Sequence, residues 1–498
     1  MTEISFGRNL SAWAASNPDQ VVITHNDEVW TASAFHRWTN RLARIYTEHG
    51  VGRNDMVTIA LPNGAEFFAA CFAAWKAGAI PQPVSSRLPR VERDAIISLA
   101  NAALVVGAED GSPNGAPTLP IGYRPASDVD DSDLPDTLAD RWKALTSGGS
   151  TGRPKLIVDA SAPRYDFEAA TMDGREITLL LQRPYETHLV VGPLYHNAPF
   201  VFSMHAFLRR NHIVIADRFD AEDTLRLIEQ HRANWMMMVP TMMHRIWRLP
   251  TAVRNGYDLS SLRVMLHIAA PCPAWLKEEW INWLGPERVL ELMGGTEGTG
   301  VTMITGTEWL KHRGSVGKLQ PGSSMKIVRE DGSEAATGEV GEVFLLPDGG
   351  QGSTYQYLGA DSNAIEGGWE SLGDMGYVDD EGYLYLTDRR ADMILVGGAN
   401  IYPAEVEAAI ELFPGVRSCV VIGLPDADLG NLVHAIVDAP EGIDETSLEA
   451  FLADQLVRYK IPRSYEYSDA GPLRDDAGKV RRTELRAARI DRDKAGND

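Results

Sequence analysis

"HIVIADRFDAEDTLRLIEQHRANWMMMVP", residues 212–240, is the stretch that decides the fold. Ile213 to Ala216 is a short apolar run of strand type. Asp220 then stands where a helix N-cap belongs, and Leu225, Leu227 and Ile228 fall on one helical face. Trp235 to Val239 is a second strand-like run. Strand, helix and strand in this order form a crossover unit, which implies a parallel sheet. Met236, Met237 and Met238 read as a strand buried on both faces rather than as a cofactor box.

Outward from this unit, "EFFAACFAAWKAGAIPQPV" (66–84) predicts a helix ending at Gly78 and then a short strand. From about Gly314 the texture changes to short alternating runs broken by Gly and Asp, which predicts an all-β subdomain. From about Asp392, "AEVEAAIELF", "RSCVVIGLP" and "ETSLEAFLADQLVRYK" carry helix and strand signals of their own. The expected class is α/β. Residues 1–390 would form a large N-terminal domain of parallel βα sheets plus the β subdomain. Residues 391–498 would form a small, mobile α+β C-terminal domain. The charged end "RAARIDRDKAGND" is expected to fray. The acidic, turn-rich segment 109–135 is expected to be an exposed excursion.

The chain has 498 residues and a net charge of -22, which excludes the basic face that nucleic-acid binding needs. An anionic substrate would require a local positive site. No apolar run approaches the ~18 residues of a membrane span. "MTEISFGRNL" has no basic-then-apolar signal. Cys71 and Cys419 sit in apolar segments, and three unpaired thiols suit a reducing, cytoplasmic setting.

"TSGGSTGRPK", Thr146 to Lys155, looks built for phosphate without matching the Walker pattern. A strand is expected on each side. Gly148, Gly149 and Gly152 let the backbone bend into an anion nest, and Thr146, Ser147, Ser150 and Thr151 add hydroxyl donors. Lys155 adds charge. In "LMGGTEGTG" (292–300), Glu297 lies in a glycine-rich turn after a strand, and a carboxylate beside a phosphate loop suits Mg2+. Asp374 in a Gly-Asp-x-Gly turn, Arg389, the Gly397-Gly398 pair and the loop lysine Lys479 complete the pattern.

Taken in order, these segments resemble the adenylate-forming superfamily of acyl-CoA synthetases, peptide-synthetase adenylation domains and luciferases. "SGGSTGRPKLIV" with "PLYHNAPF" (193–200) is most similar to its bile-acid-CoA-ligase-like branch. The resemblance implies two steps: a carboxylate attacks the α-phosphate of ATP to give acyl-AMP and pyrophosphate, and a thiol, usually coenzyme A, displaces AMP. It implies that Thr146 to Lys155 wrap the β- and γ-phosphates, Thr296 touches the α-phosphate and Glu297 holds Mg2+. Ala269, Ala270 and Pro271 would lie along the adenine, with Asp374 and Arg389 at the ribose. Lys479 would be the adenylation lysine, and His196 would stand where the acyl and CoA channels meet. Gly397 and Gly398 would line the thiol channel once the C-terminal domain rotates about Ala391.

Two positions depart from the family pattern. Met293 stands where an aromatic ring usually stacks on adenine, and Ala391 stands where Asp or Lys marks the hinge. Both leave acyl-AMP formation possible, so a second reading stays open in which an amine takes the acyl group. A catalytically silent ligand-binding relative is opposed by the intact Glu297, Asp374, Arg389 and Lys479. His196, Asn197, Phe200, Val201, His267, Ile268, Gly294 and Gly295 are the expected acyl pocket, which suits a hydrophobic, flat or bulky acid. Cys272 reads as a pocket wall, not a nucleophile.

Overall fold

A computed structural model describes residues 3–109, 111–148, 154–166, 182–389, 392–396, 399–426, 429–468, 473–474 and 480–495. Among them the decisive unit sits in a nine-stranded sheet. Six central strands run parallel, in the spatial order Val21–His25, His212–Ile215, Thr187–Val190, Trp235–Met238, Val264–Ile268 and Val289–Gly294. Antiparallel strands close both edges. The two strands of the 212–240 unit are parallel but not neighbours. Thr187–Val190 lies between them, and its His188 pairs with both Ile213 and Trp235.

The local reading of this unit holds. Asp220 caps the helix Ala221–His231 by accepting from the Asp223 N–H, and Leu225, Leu227 and Ile228 are buried. Met236, Met237 and Met238 are 0%, 5% and 1% exposed, as a strand covered on both faces requires.

A second parallel sheet has the order Ile80–Pro83, Met56–Ile59, Leu104–Val106 and Thr118–Leu119. The helix Ala65–Lys76 precedes its edge strand, and all its residues except Glu66 are buried. Phe67, Phe68, Cys71, Phe72 and Trp75 point to different sides, and a helix apolar all round must be enclosed. Its one interior charge, Lys76, is met by Thr39 Oγ1 (2.7 Å) and Asn40 Oδ1 (2.6 Å).

Two antiparallel sheets and one mixed sheet follow. Ala144–Gly148, Pro154–Asp159 and Tyr355–Leu358 form one sheet. The strands from Ser323–Val328 to Leu384–Arg389 form the expected all-β subdomain. Near the C-terminus, Ser418–Asp426, Gly430–Asp438 and Ser464–Tyr467 form a sheet covered by the helices Pro403–Glu411 and Arg482–Ala495. No helix among the described residues is long and apolar enough to cross a membrane.

One expectation is refined and one is corrected. Segment 109–135 is largely exposed, as expected, but it does not run free of the body. The acidic segment is strapped down: Asp130, Asp131 and Asp133 pair with Arg44 (2.5 Å), Arg41 (2.6 Å) and Arg8 (3.2 Å) on the first two helices. Its charges meet complementary charges that lie far off in the sequence. The end of the chain does not fray through residue 495. Arg482–Ala495 is a helix, held by Arg489 on Glu466 (2.8 Å) and by Arg486 on the Gly423 carbonyl (2.7 Å).

Burial lowers His36, His212, His244 and His267 to about 4 and His188 to about 3. These rings stay neutral in the fold while the unfolded chain protonates them near 6.5, so their contribution is present above that pH and lost as pH falls towards 4. Glu411, raised to about 7 by burial, and Glu66, also raised by burial, act in the opposite sense but are outnumbered by these five histidines. Calorimetry should show the thermal midpoint falling between pH 6.5 and 4, and a flat or rising midpoint would contradict a neutral-histidine core. At Gly317, φ is +99° and an added Cβ would lie 2.1 Å from the Met303 carbonyl oxygen. Gly317→Ala should destabilise the protein by about 3 kcal/mol or more, read from the urea unfolding midpoint.

Candidate active site

In an open α/β sheet, ligands gather at the carboxyl ends of the parallel strands. Two such ends meet here. The strand Val264–Ile268 is followed by Ala269 at φ +78°, a left-handed conformation that a residue with a Cβ adopts at a cost. Ala269 and Pro271 are exposed and Ala270 is half-buried, so this strand end is open to a flat ligand. The neighbouring strand Val289–Gly294 leads into Gly295, Thr296 and Glu297. Met293 is half-buried and packs towards Ile327, Val343 and Leu384.

The "TSGGSTGRPK" stretch is a strand pair, as expected. Ala144–Gly148 runs antiparallel to Pro154–Asp159, with Ser147 opposite Lys155 and Gly148 opposite Pro154. Gly149, Ser150, Thr151 and Gly152 lie outside the described residues. The Thr146 Oγ1 accepts from the buried Gln82 Nε2 (3.0 Å), and Gln82 in turn accepts from Thr58 (2.7 Å). The second parallel sheet thereby fixes the hairpin.

Glu297 is only 7% exposed. Its Oε1 accepts from the Tyr357 hydroxyl (2.5 Å) and lies 3.9 Å from the Lys155 ammonium. That ammonium stands 3.9 Å over the Tyr357 ring. Burial, and then the Glu297 charge, push the Tyr357 phenol well above its ordinary range, so it stays a donor. Sequence reasoning missed Tyr357, although the alternation in "TYQYLG" puts Tyr355 and Tyr357 on one strand face. Gly295 is confined: a Cβ there would lie 2.3 Å from Leu372 Cδ1 and 2.8 Å from Glu297 Oε2.

Leu372 is two residues before Asp374. Asp374 is half-buried on the strand Trp369–Val378 and is in register with Arg389 on the neighbouring strand Leu384–Arg389. The Gly-Asp-x-Gly segment is therefore a strand with an irregularity at Met375/Gly376, not a turn. The reason is Gly376, where a Cβ would meet the Tyr385 carbonyl oxygen at 2.4 Å, so the two strands close up there.

The pocket residues divide. His196 stands at the N-cap of the helix Asn197–Leu208, with its ring 4.4 Å from that of Tyr195. His196, Asn197, Val201, Gly294 and Gly295 are half-buried. Phe200 is 0% exposed and packs 5.5 Å from Trp142 in the aromatic core, so it lines no open pocket. His267 is likewise enclosed, beside the buried Lys277–Glu291 ion pair. Both face neighbours that their own segments do not reveal. Burial raises the Cys272 thiol, which suits a wall rather than a nucleophile.

Among the described residues, no group of three or more His, Cys, Asp or Glu side chains forms a self-sufficient metal site. A single hard carboxylate beside a phosphate hairpin nevertheless fits Mg2+, which takes few protein ligands and completes its shell with phosphate and water. Ala391, Gly397, Gly398 and Lys479 lie outside the described residues. Among the described C-terminal residues Glu407 is buried and receives Arg474 (3.0 Å) and Arg482 (2.6 Å), while Arg482 also reaches Asp392 (3.1 Å).

Comparison with known proteins agrees with this organisation. The family described as AMP-binding enzyme matches residues 10–348, and AMP-binding enzyme C-terminal domain matches residues 405–475. A feruloyl-CoA synthase of Amycolatopsis sp is 30% identical over 500 residues, covering 96% of this chain and 99% of that protein. Among solved structures, o-succinylbenzoate CoA synthetase of Bacillus subtilis with its acyl-adenylate intermediate has a TM-score of 0.82 at 24% identity, covering 97% of this chain and 98% of that one. The amide bond synthetase McbA of Marinactinospora thermotolerans has a TM-score of 0.78 at 22% identity, with coverages of 97% and 99%.

Gly295→Ala gives a direct check on the site. The added Cβ must displace Leu372 and the Glu297 carboxylate, so Mg·ATP binding by calorimetry should weaken at least tenfold, an order-of-magnitude expectation for a forced steric shift. The ligand-free thermal midpoint should move little.

Proposed function

The chain belongs to the AMP-binding enzyme family, and from that premise we propose that it activates a hydrophobic carboxylic acid as acyl-AMP and passes the acyl group to coenzyme A. It is an AMP-forming acid–thiol ligase that uses ATP, Mg2+ and coenzyme A. One observation carries the site reading: Gly295 to Glu297 touch Lys155 at the hairpin exit and Leu372 beside Asp374, so three separate motifs meet at one point.

The chemistry explains that convergence. Attack of a carboxylate on a phosphate brings two anions together, so positioning and positive charge supply most of the rate. Thr146 to Lys155 are proposed to hold the β- and γ-phosphates, and Thr296 the α-phosphate. Glu297 would hold Mg2+, which when bound neutralises charge on the phosphate oxygens. Ala269 to Pro271 and Met293 would flank the adenine, with Asp374 and Arg389 at the ribose. Lys479 would place a point charge between the acid and the α-phosphate. The C-terminal elements would then turn about Ala391 and bring Gly397 and Gly398 to the thiol, with His196 at the channel junction.

Asn197, Val201, Ile268, Gly294 and Gly295 are the proposed acyl lining. They are uncharged and small or apolar, and the nearby Lys277 is already neutralised by Glu291. This favours a hydrophobic or ring-bearing monocarboxylic acid, and three cysteines with no pairing pattern support a cytoplasmic setting.

Lys479→Ala should slow ATP–pyrophosphate exchange by several orders of magnitude yet spare thiolation of supplied acyl-AMP. Exchange at the wild-type rate would refute the lysine's role. Incubating an acid panel and ATP with coenzyme A or with amines separates the two acceptors, and an amide as the main product would replace coenzyme A by an amine in the second step.

A further inference from the structure

We propose that Tyr357 is a positioning residue that presents the Glu297 carboxylate to the nucleotide-bound divalent cation. This rests on the reading of Glu297 as the metal-holding residue. The geometry is specific. The Tyr357 hydroxyl takes Glu297 Oε1 at 2.5 Å, a charge-assisted distance. The same ring carries the Lys155 ammonium at 3.9 Å, and Lys155 is 3.9 Å from the same oxygen. One side chain thus touches both a nearly enclosed carboxylate and a cation 3.9 Å from it.

Tyr357 is also coupled to the hairpin through the backbone. Its strand Tyr355–Leu358 pairs with Pro154–Asp159, with Tyr357 opposite Ile157 and Leu358 opposite Leu156. The hydroxyl is therefore held in register with the strand that leaves the phosphate loop. Tyr355, two residues earlier, bonds to Glu370 (3.2 Å) and packs edge-on against the Tyr357 ring, centroids 4.7 Å apart.

The consequence is a choice of partner for Lys155. With the hydroxyl present, one Glu297 oxygen is occupied and its orientation is set before any ligand arrives. Without it, Lys155 still stands 3.9 Å from that oxygen. The ammonium would then neutralise the carboxylate, and the cation would have to displace it.

Tyr357→Phe keeps the ring beneath Lys155 and removes only the hydroxyl. With Mn2+ as the probe, free metal is measured by electron paramagnetic resonance in the presence of ATP. Loss of one charge-assisted hydrogen bond should weaken Mn2+–ATP binding about tenfold. The Mg2+ concentration that half-saturates pyrophosphate exchange should rise by a similar factor, with the KM for the acid unchanged. Tyr355→Phe, which keeps the Tyr357 hydroxyl on Glu297, should weaken metal binding clearly less than Tyr357→Phe does. Wild-type binding by Tyr357→Phe, alongside weakened binding by Glu297→Gln, would overturn the proposal and leave the Glu297 reading standing. Wild-type binding by Glu297→Gln as well would remove both. Loss of the ligand-free thermal transition in Tyr357→Phe would also overturn it, since the hydroxyl would then serve folding rather than positioning.

Discussion

An enclosed carboxylate must be paired or neutralised, and Glu297 meets that constraint by drawing three chain segments together. Its hydroxyl partner comes from the strand Tyr355–Leu358 and an ammonium 3.9 Å away from Pro154–Asp159. These two strands pair with each other but belong to a different sheet from the strand that leads to Glu297. The central parallel sheet and the antiparallel hairpin sheet are thus joined at the site by charge and hydrogen bonding. Gly295 makes the approach possible, because any side chain there would occupy the space of Leu372 and of the carboxylate itself.

The rest of the large domain keeps that junction rigid. The helix Ala65–Lys76 fills the space between the parallel sheets and the first two helices, with Phe72 and Phe207 centroids 4.9 Å apart and Phe72 and Trp75 5.1 Å apart. Edge-to-face and tilted aromatic packing of this kind adds directional contacts to simple area burial. From the same region Gln82 reaches Thr146, so the core sets one strand of the hairpin while Tyr357 and Lys155 set the other. The C-terminal elements have their own core around Ile401, Val406, Cys419 and Val433. Within them Glu407 joins Arg474 and Arg482, which lie on either side of residues 475–479 in the sequence. A turn of these elements as one body would carry that cluster along intact.

Periodicity made the local structure readable. The alternation of 212–240, the Asp220 cap, the apolar helix before Gly78 and the antiparallel texture after Gly314 are each properties of a few adjacent residues. Such features are visible because side-chain direction follows backbone geometry at short range. The insertion of Thr187–Val190 between the two strands of the 212–240 unit was not readable, because all three strands are short and covered on both faces, so any order would bury them. The helix Arg482–Ala495 was misread for a related reason. Its polar composition suggests fraying, while the arginines that hold it find acceptors at Glu466 and Gly423.

The α/β class, the adenylate-forming family and the order of the motif segments were legible from local pattern and from residues quoted in place. Which side chains meet was set by the three-dimensional fold. It brought Lys155 and Tyr357 to Glu297, strapped the acidic segment onto Arg8, Arg41 and Arg44, and withdrew Phe200 and His267 into the interior. The physical reason is range. A charge or hydroxyl is satisfied by whatever the fold brings within about 3 Å, and that partner can stand anywhere in the chain.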